Sequence, residues 1–188
     1  WRISKSSKKN QYYRILSEFM LQQSQVKTVI PYFESFVHKV PNLKALSKSS
    51  SVPKKNLWIS REFARHRKIT NYKELNPVFE EYNFKVVYPE KNSLIENINL
   101  FKSAEIVAGL HGAGLVNMLY MEEKTNVLEI RREGDSHNNC YFTLSSELNL
   151  NYYYINSIPD QEDLYLANSY LNPKILAQTL ENLINNSR

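Results

Sequence analysis

The chain has 188 residues, with 24 Lys and Arg against 19 Asp and Glu for a net charge of +5, and a single cysteine. That length suits one ordinary domain. One cysteine, Cys140, excludes an intramolecular disulfide and a cysteine-based zinc site, and no apolar run approaches the ~20 residues of a membrane span. The surplus of positive charge suits an anionic ligand such as a nucleoside diphosphate, and equally a plain basic domain.

The first stretch, WRISKSSKKNQYYRIL, begins with Trp rather than Met and has no signal-peptide core, so the chain is expected to start inside a longer protein and to be cytoplasmic and bacterial. Apolar positions at Ile15, Leu16, Phe19 and Met20, then Phe33, Phe36 and Val37, predict two helices. With the lysines of KSSKK and the polar stretch LKALSKSSSVPKK they form an expected N-terminal segment and linker over residues 1–50, leaving residues 51–188 as the main domain.

From Leu57 strands and helices alternate. Leu57–Ser60 reads as a strand, Glu74–Tyr82 as a helix, and Phe84–Tyr88 (FKVVY), β-branched and aromatic, as a strand. Ser93 with Glu96 three residues on forms a capping box that opens a helix through Phe101. Glu105–Ala108 predicts a buried strand, Leu115–Met121 a short helix, and Asn126–Ile130 another strand. A helix over 139–148, a strand at Tyr152–Ile155 and a last helix opened by Asn172-Pro173 complete the run. The pattern predicts an α/β fold, a Rossmann-like parallel sheet with helices on both faces.

Three of the chain's 4 glycines, Gly109, Gly112 and Gly114, lie in GLHGAGL, between a strand and a helix. At such a junction glycines permit positive φ and close approach, and the helix start offers amides to a phosphate against Gly112, Ala113 and Gly114. Small residues that merely pack a tight turn are the alternative. The spacing is neither the dinucleotide fingerprint nor a P-loop. His111, inside this turn, can donate to a phosphate or sugar oxygen or serve only the backbone. In WISREFARHRKITN, Arg61 and Arg67 are candidate phosphate ligands, or a solvated basic face. Asp135 and His137 follow the NVLEI strand and could line the cleft or an ordinary polar loop.

Taken together, Ile59-Ser60-Arg61, the run Arg67-Lys68-Ile69-Thr70-Asn71 with Glu74, Leu100-Phe101 with Ala104, His111 to Leu115 with Asn117-Met118-Leu119, and Val127-Leu128-Glu129-Ile130 resemble the C-terminal half of glycosyltransferase family 61, over about residues 57–155. The resemblance implies one lobe of a GT-B enzyme that moves a sugar, with inversion, from a nucleotide-sugar donor, commonly a UDP-sugar, to a glycan acceptor in polysaccharide biosynthesis. It implies that Arg61 and Arg67 pair with the diphosphate, that His111, Gly112, Ala113, Gly114 and Leu115 form the phosphate turn, and that Glu129 accepts from a ribose or base group. Asn117 is expected to fix the loop. The family's first acid is Tyr72 here, although Glu74 is kept, and two full lobes do not fit in 188 residues.

In an inverting transfer a base takes the acceptor proton while positive charge steadies the leaving diphosphate. His111, Glu74 or a group elsewhere could be that base. There is no Asp-x-Asp pair to bridge a metal, so binding is expected to need no metal and no cofactor beyond the donor. Two other classes remain open: a lobe that binds nucleotide without turnover, and a nucleic-acid-binding module. The 13 tyrosines bear on the second. Tyr88 and Tyr152 to Tyr154 fall in or beside predicted strands and are expected in the core, so no nucleic-acid partner is expected.

Overall fold

A computed structural model describes residues 54–135 and 139–186. The two expected N-terminal helices, the lysine-rich stretches up to residue 53, and His137 lie outside the described residues.

Strand β1 (Lys55–Ile59) leads through a basic loop to helix α1 (Tyr72–Glu81), then β2 (Phe84–Val87), α2 (Leu94–Lys102) and β3 (Ala104–Leu110). A 3-10 helix (Ala113–Tyr120) follows, then β4 (Asn126–Arg132), α3 (Cys140–Glu147), β5 (Asn151–Pro159), the two-residue β6 (Ser169–Tyr170) and α4 (Pro173–Asn186). The sheet runs β2-β1-β3-β4-β5-β6. Its first five strands are parallel, and β6 joins β5 antiparallel through Ile158 opposite Tyr170 and Pro159 opposite Ser169. The α/β class and the mainly parallel sheet follow the sequence pattern, and the antiparallel edge does not.

Residue chemistry accounts for the main features. Ser93 Oγ accepts from Glu96 N at 3.3 Å and Glu96 Oε2 accepts from Ser93 N at 2.7 Å, so the capping box opens α2 as its spacing predicts. Asn172 Oδ1 accepts from Lys174 N at 2.9 Å and Pro173 takes the first position of α4, where a missing N–H costs nothing. One sheet face carries Trp58, Ala108, Leu110, Leu128 and Ile130 against Leu75, Val78 and Phe79 of α1 and Leu176, Leu180 and Leu183 of α4. Each large side chain buried there contributes roughly 1.5–3 kcal/mol. The Trp58 and Phe79 rings sit 4.8 Å apart. Phe101, Leu115, Met118 and Leu144, from α2, the 3-10 helix and α3, are buried as well, with Ser145 Oγ donating to Met118 Sδ at 3.4 Å.

Not all the strand tyrosines are core. Tyr154 is 60% exposed, and Tyr88, Tyr152 and Tyr153 are half-buried. On β5, Tyr153 and Ile155 pack on the core while the alternate row of Tyr154 and Ile158 faces outward. On its outer side β5 has only the two-residue β6 beside it.

This strand order places the topological switch between β1 and β3: the chain leaves β1 toward β2 on one side and returns to β3 on the other. Loops at the carboxyl ends of two such strands diverge and leave a crevice between them, where open α/β sheets bind ligands.

Candidate functional site

Arg61 and the turn from His111 to Leu115, both singled out from sequence, fall at this switch. Ser60 and Arg61 leave β1, and His111 to Leu115 leave β3. Ile59 and Gly109 are partners in the β1–β3 register, which brings the two departing loops side by side.

That register explains most of the glycine cluster. A Cβ on Gly109 would come 3.0 Å from Ile59 Cβ, and one on Gly114 would come 2.7 Å from Ile59 Cγ2. Both glycines make room for a branched side chain about 50 residues earlier. Gly112 serves a different neighbour: its Cβ would meet Arg61 Nη1 at 2.5 Å. None of the three has a left-handed backbone; among the described glycines only Gly134 does, at φ 79°. Gly112 is extended, at φ 160°, so what the glycines of this turn provide is space. The open side of Gly112 is filled by a guanidinium, so an anion arriving there meets Arg61 before it meets the backbone.

Arg61 is fixed at several points. Its Nε donates to the Arg67 carbonyl at 3.2 Å, and its own carbonyl accepts from Ala64 N at 2.9 Å. Arg67 holds a left-handed backbone, φ 61°, uncommon for a non-glycine residue, which aims that carbonyl back at Arg61. The far half of the loop is laced to the segment before α4. Lys68 N donates to Asn168 Oδ1 at 3.0 Å, Ser169 N to the Lys68 carbonyl at 2.8 Å, and Thr70 N to the Ser169 carbonyl at 2.9 Å. Arg67 also lies over the Tyr165 ring, 5.3 Å from its centre. Burial first, then the neighbouring charges of Arg67 and Arg132, push the Arg61 pKa down. An arginine still stays protonated, so the loop concentrates positive charge at the sheet edge.

Asn71 and Glu74, which the motif also contains, brace the loop. Buried Asn71 exchanges two hydrogen bonds with Leu171, Nδ2 to the carbonyl at 2.9 Å and Oδ1 from the N–H at 3.1 Å. Glu74 Oε2 accepts from Asn71 Nδ2 at 3.3 Å and from Tyr170 OH at 3.2 Å. Asn117 Nδ2 donates to the Gly114 carbonyl at 2.8 Å, within the start of the 3-10 helix.

Across the crevice His111 N donates to the Ile130 carbonyl at 2.8 Å, which seats the imidazole beside β4. Its Nδ1 is bonded to Glu129 Oε1, and the Tyr152 hydroxyl donates to Glu129 Oε2. Glu129 is 2% exposed, with one oxygen given to each partner. It is held toward His111 rather than toward the open crevice. Tyr141 sets its ring edge-on to His111, centroids 5.1 Å apart, and burial raises its hydroxyl pKa. Because a carboxylate only accepts, Nδ1 carries the proton in this pair, and in the neutral imidazole Nε2 then keeps its lone pair.

Next to the arginine loop a crevice of about 330 Å³ opens, floored by Trp58, Ile59 and Leu110, walled by Ile69, and edged by Ser60, Arg61, Glu62, Lys68, Tyr72 and Lys73. This volume falls in the range of small-molecule sites. The Tyr72 hydroxyl is buried without a hydrogen-bond partner, and burial pushes its pKa up to about 12. A buried hydroxyl left in this way beside a crevice marks a place for a polar ligand atom.

The sequence reading missed Tyr152, Tyr141 and Arg132. Tyr152 stands opposite Val127 in the β4–β5 register, which only the pairing reveals. Arg132 did carry a signal: it continues the inward row of Leu128 and Ile130, where a cation is out of place. Asp135, expected to face the cleft or an ordinary loop, instead pairs with Arg132 Nη2 at 3.1 Å. Among the described residues no group of three His, Cys, Asp or Glu is placed to hold a metal, and no helix is long and apolar enough to cross a membrane.

The family model described as glycosyltransferase 61 matches residues 5–128, starting well before the stretch whose motifs carry the resemblance and ending within β4. Among curated proteins, an adenine DNA glycosylase of Buchnera aphidicola subsp. Baizongia pistaciae is 39% identical over 110 residues, 58% of this chain and 28% of that protein. Adenine DNA glycosylases from two further Buchnera aphidicola strains are similar in part: 37% identical over 70 residues for subsp. Schizaphis graminum, covering 37% of this chain and 20% of that protein, and 34% over 95 residues for subsp. Acyrthosiphon pisum, covering 50% and 25%. The chain thus spans about a quarter of the length of these curated relatives.

Proposed function

Because the chain belongs to glycosyltransferase family 61, we propose that it is the donor-binding lobe of a GT-B glycosyltransferase that moves a sugar from a nucleotide-sugar, a UDP-sugar in the first instance, to a glycan hydroxyl with inversion and without a metal. The observation that carries this reading is the meeting of two groups at the switch point: an arginine seated against Gly112, and a histidine backed by a buried glutamate. The first suits a leaving diphosphate and the second suits a hydroxyl that must lose its proton.

In this reading Arg61 and Arg67 draw the diphosphate to the sheet edge, beside the backbone of Gly112, Ala113, Gly114 and Leu115. The crevice next to Arg61 takes the nucleoside, with Tyr72 OH offered to one of its polar atoms. His111 Nε2 takes the proton of the acceptor hydroxyl as its oxygen attacks the anomeric carbon. The bond from that carbon to the diphosphate breaks on the opposite face, and its electron pair leaves with the diphosphate, steadied by the arginines. Glu129 balances the imidazolium formed and fixes its tautomer, so its part is to position His111 rather than to touch the ribose. A base of this kind contributes roughly 10²–10⁴-fold in rate.

Isothermal titration with UDP, GDP and CDP, with and without EDTA, tests donor binding. One nucleotide is expected to bind selectively, with affinity that survives chelation and falls in an Arg61→Ala variant. Absence of binding for all three would overturn the reading.

The relatives named adenine DNA glycosylase, with the net charge of +5, favour a second reading as a module that binds a nucleic-acid backbone. The same arginines would then take a phosphodiester instead of a diphosphate, and salt dependence separates the two.

A further inference from the structure

Arg132 closes β4 and is 5% exposed, on the sheet face that otherwise carries apolar residues. Burying a guanidinium is costly unless its charge and its N–H groups are met. Asp135 meets part of this need, its Oδ2 accepting from Nη2 at 3.1 Å with both side chains nearly inaccessible. The Nε and Nη1 atoms of Arg132 are buried with no hydrogen-bond partner. Two unmet cationic donors call for an acceptor that none of the described residues supplies.

The surroundings give the sign and place of that acceptor. Arg132 lies two residues beyond Ile130, whose carbonyl holds His111 N at 2.8 Å, so it shares the carboxyl edge with the His111 turn. Arg61 feels its charge, and Arg132 in turn feels that of Arg67, so three guanidinium groups gather within Coulombic reach, with Asp135 paired to Arg132 and Glu90 acting on Arg61. Such a gathering is self-repelling when empty and favourable around a multivalent anion.

We propose that Arg132 is the third arginine of the leaving-group site and donates through its unpaired N–H groups to the diphosphate held by Arg61 and Arg67. This rests on the transferase reading for the identity of the anion, though the arginine site can be probed without it.

Titrating the full 188-residue chain and its variants with UDP, uridine and inorganic pyrophosphate tests the assignment. Arg132→Met is expected to weaken UDP and pyrophosphate by roughly 10- to 100-fold, the worth of a lost charge-assisted hydrogen bond, and to leave uridine unchanged. Arg132→Lys keeps a charge opposite Asp135 and serves where the Met variant fails to fold; it is expected to lose about tenfold through poorer geometry. Wild-type affinity for UDP and pyrophosphate in a folded Arg132→Lys or Arg132→Met chain overturns the proposal. If Arg61→Ala abolishes UDP binding in that same series, the transferase reading stands without it. Pyrophosphate binding that depends on Arg132, in a chain that binds no nucleoside diphosphate, would uphold the anion site and overturn the transferase reading.

Discussion

The Arg61 guanidinium occupies the space that a side chain on residue 112 would need, with Nη1 2.5 Å from the Cβ position of Gly112. The obstacle is the free end of a long side chain, so Gly112→Ala moves Arg61 instead of the backbone. Gly112→Ala is therefore expected to shift Tm by no more than a few degrees while UDP affinity falls at least tenfold, a loss of about 1.4 kcal/mol. Gly109→Ala should behave in the opposite way. Its Cβ meets Ile59 Cβ at 3.0 Å and the Ile59 carbonyl oxygen at 3.3 Å, both rooted in the neighbouring strand, and overpacking there costs roughly 1–3 kcal/mol. Thermal melts and titrations on the two variants check this pair; equal loss of stability in both would refute the assignment.

Glutamine at residue 129 removes the negative charge behind His111 but keeps nearly the same shape. With both carboxylate oxygens given to His111 and Tyr152, Glu129→Gln is expected to cut nucleotide release from a panel of sugar nucleotides by roughly 10²–10⁴-fold while UDP affinity stays within about twofold of wild type. A fall in affinity that matches the fall in rate would mean that Glu129 touches the nucleotide, as the family resemblance implies, and does not act through His111.

The glycine cluster and the motif arginines show what can be read from a sequence and what cannot. Strands such as FKVVY and the capping box at Ser93 depend on neighbours a few residues apart, and they appear where the pattern puts them. The two-residue β6 has no period of its own and exists because Ile158 and Tyr170 meet. Gly109 and Gly114 stand out in sequence as part of a glycine-rich turn, and only the fold shows that they make room for Ile59. Contacts made across the sheet, between residues distant in the chain, carry no local signature. Arg132 is the partial exception, since a cation in a row of apolar side chains is visible in the strand's alternation.

Salt separates the two readings of the arginine loop. A diphosphate site of this kind is expected to lose less than tenfold in UDP affinity between 50 and 200 mM salt, whereas a nucleic-acid face contacting several phosphates loses about 10³-fold or more. Fluorescence anisotropy with a labelled single-stranded oligonucleotide makes the comparison. Exposed Tyr154, at 60%, and Tyr165, at 68%, give a nucleic-acid face its stacking candidates. Saturable, steeply salt-dependent binding that weakens in Tyr154→Ala and Tyr165→Ala would favour the DNA-binding reading.

Asn71 links the basic loop to the strand before α4 through both ends of its amide. Asn71→Ala leaves the Leu171 N–H and carbonyl, both paired to that side chain, without a partner in a buried setting. A buried unsatisfied group costs about 1–3 kcal/mol, so a loss of about 2–4 kcal/mol and a clear drop in Tm are expected. The loop that places Arg67 should loosen with it, because the Lys68, Thr70 and Ser169 backbone bonds form the adjoining rungs. UDP affinity should then fall even though Asn71 makes no contact with the anion, and Arg61→Ala in the same background should lower it further, because Arg61 is also seated against Gly112. Asn71→Asp keeps one acceptor for the Leu171 N–H and is expected to lie between the two. Nucleotide affinity unchanged in a clearly destabilised Asn71→Ala chain would show that the basic loop holds its shape without this brace.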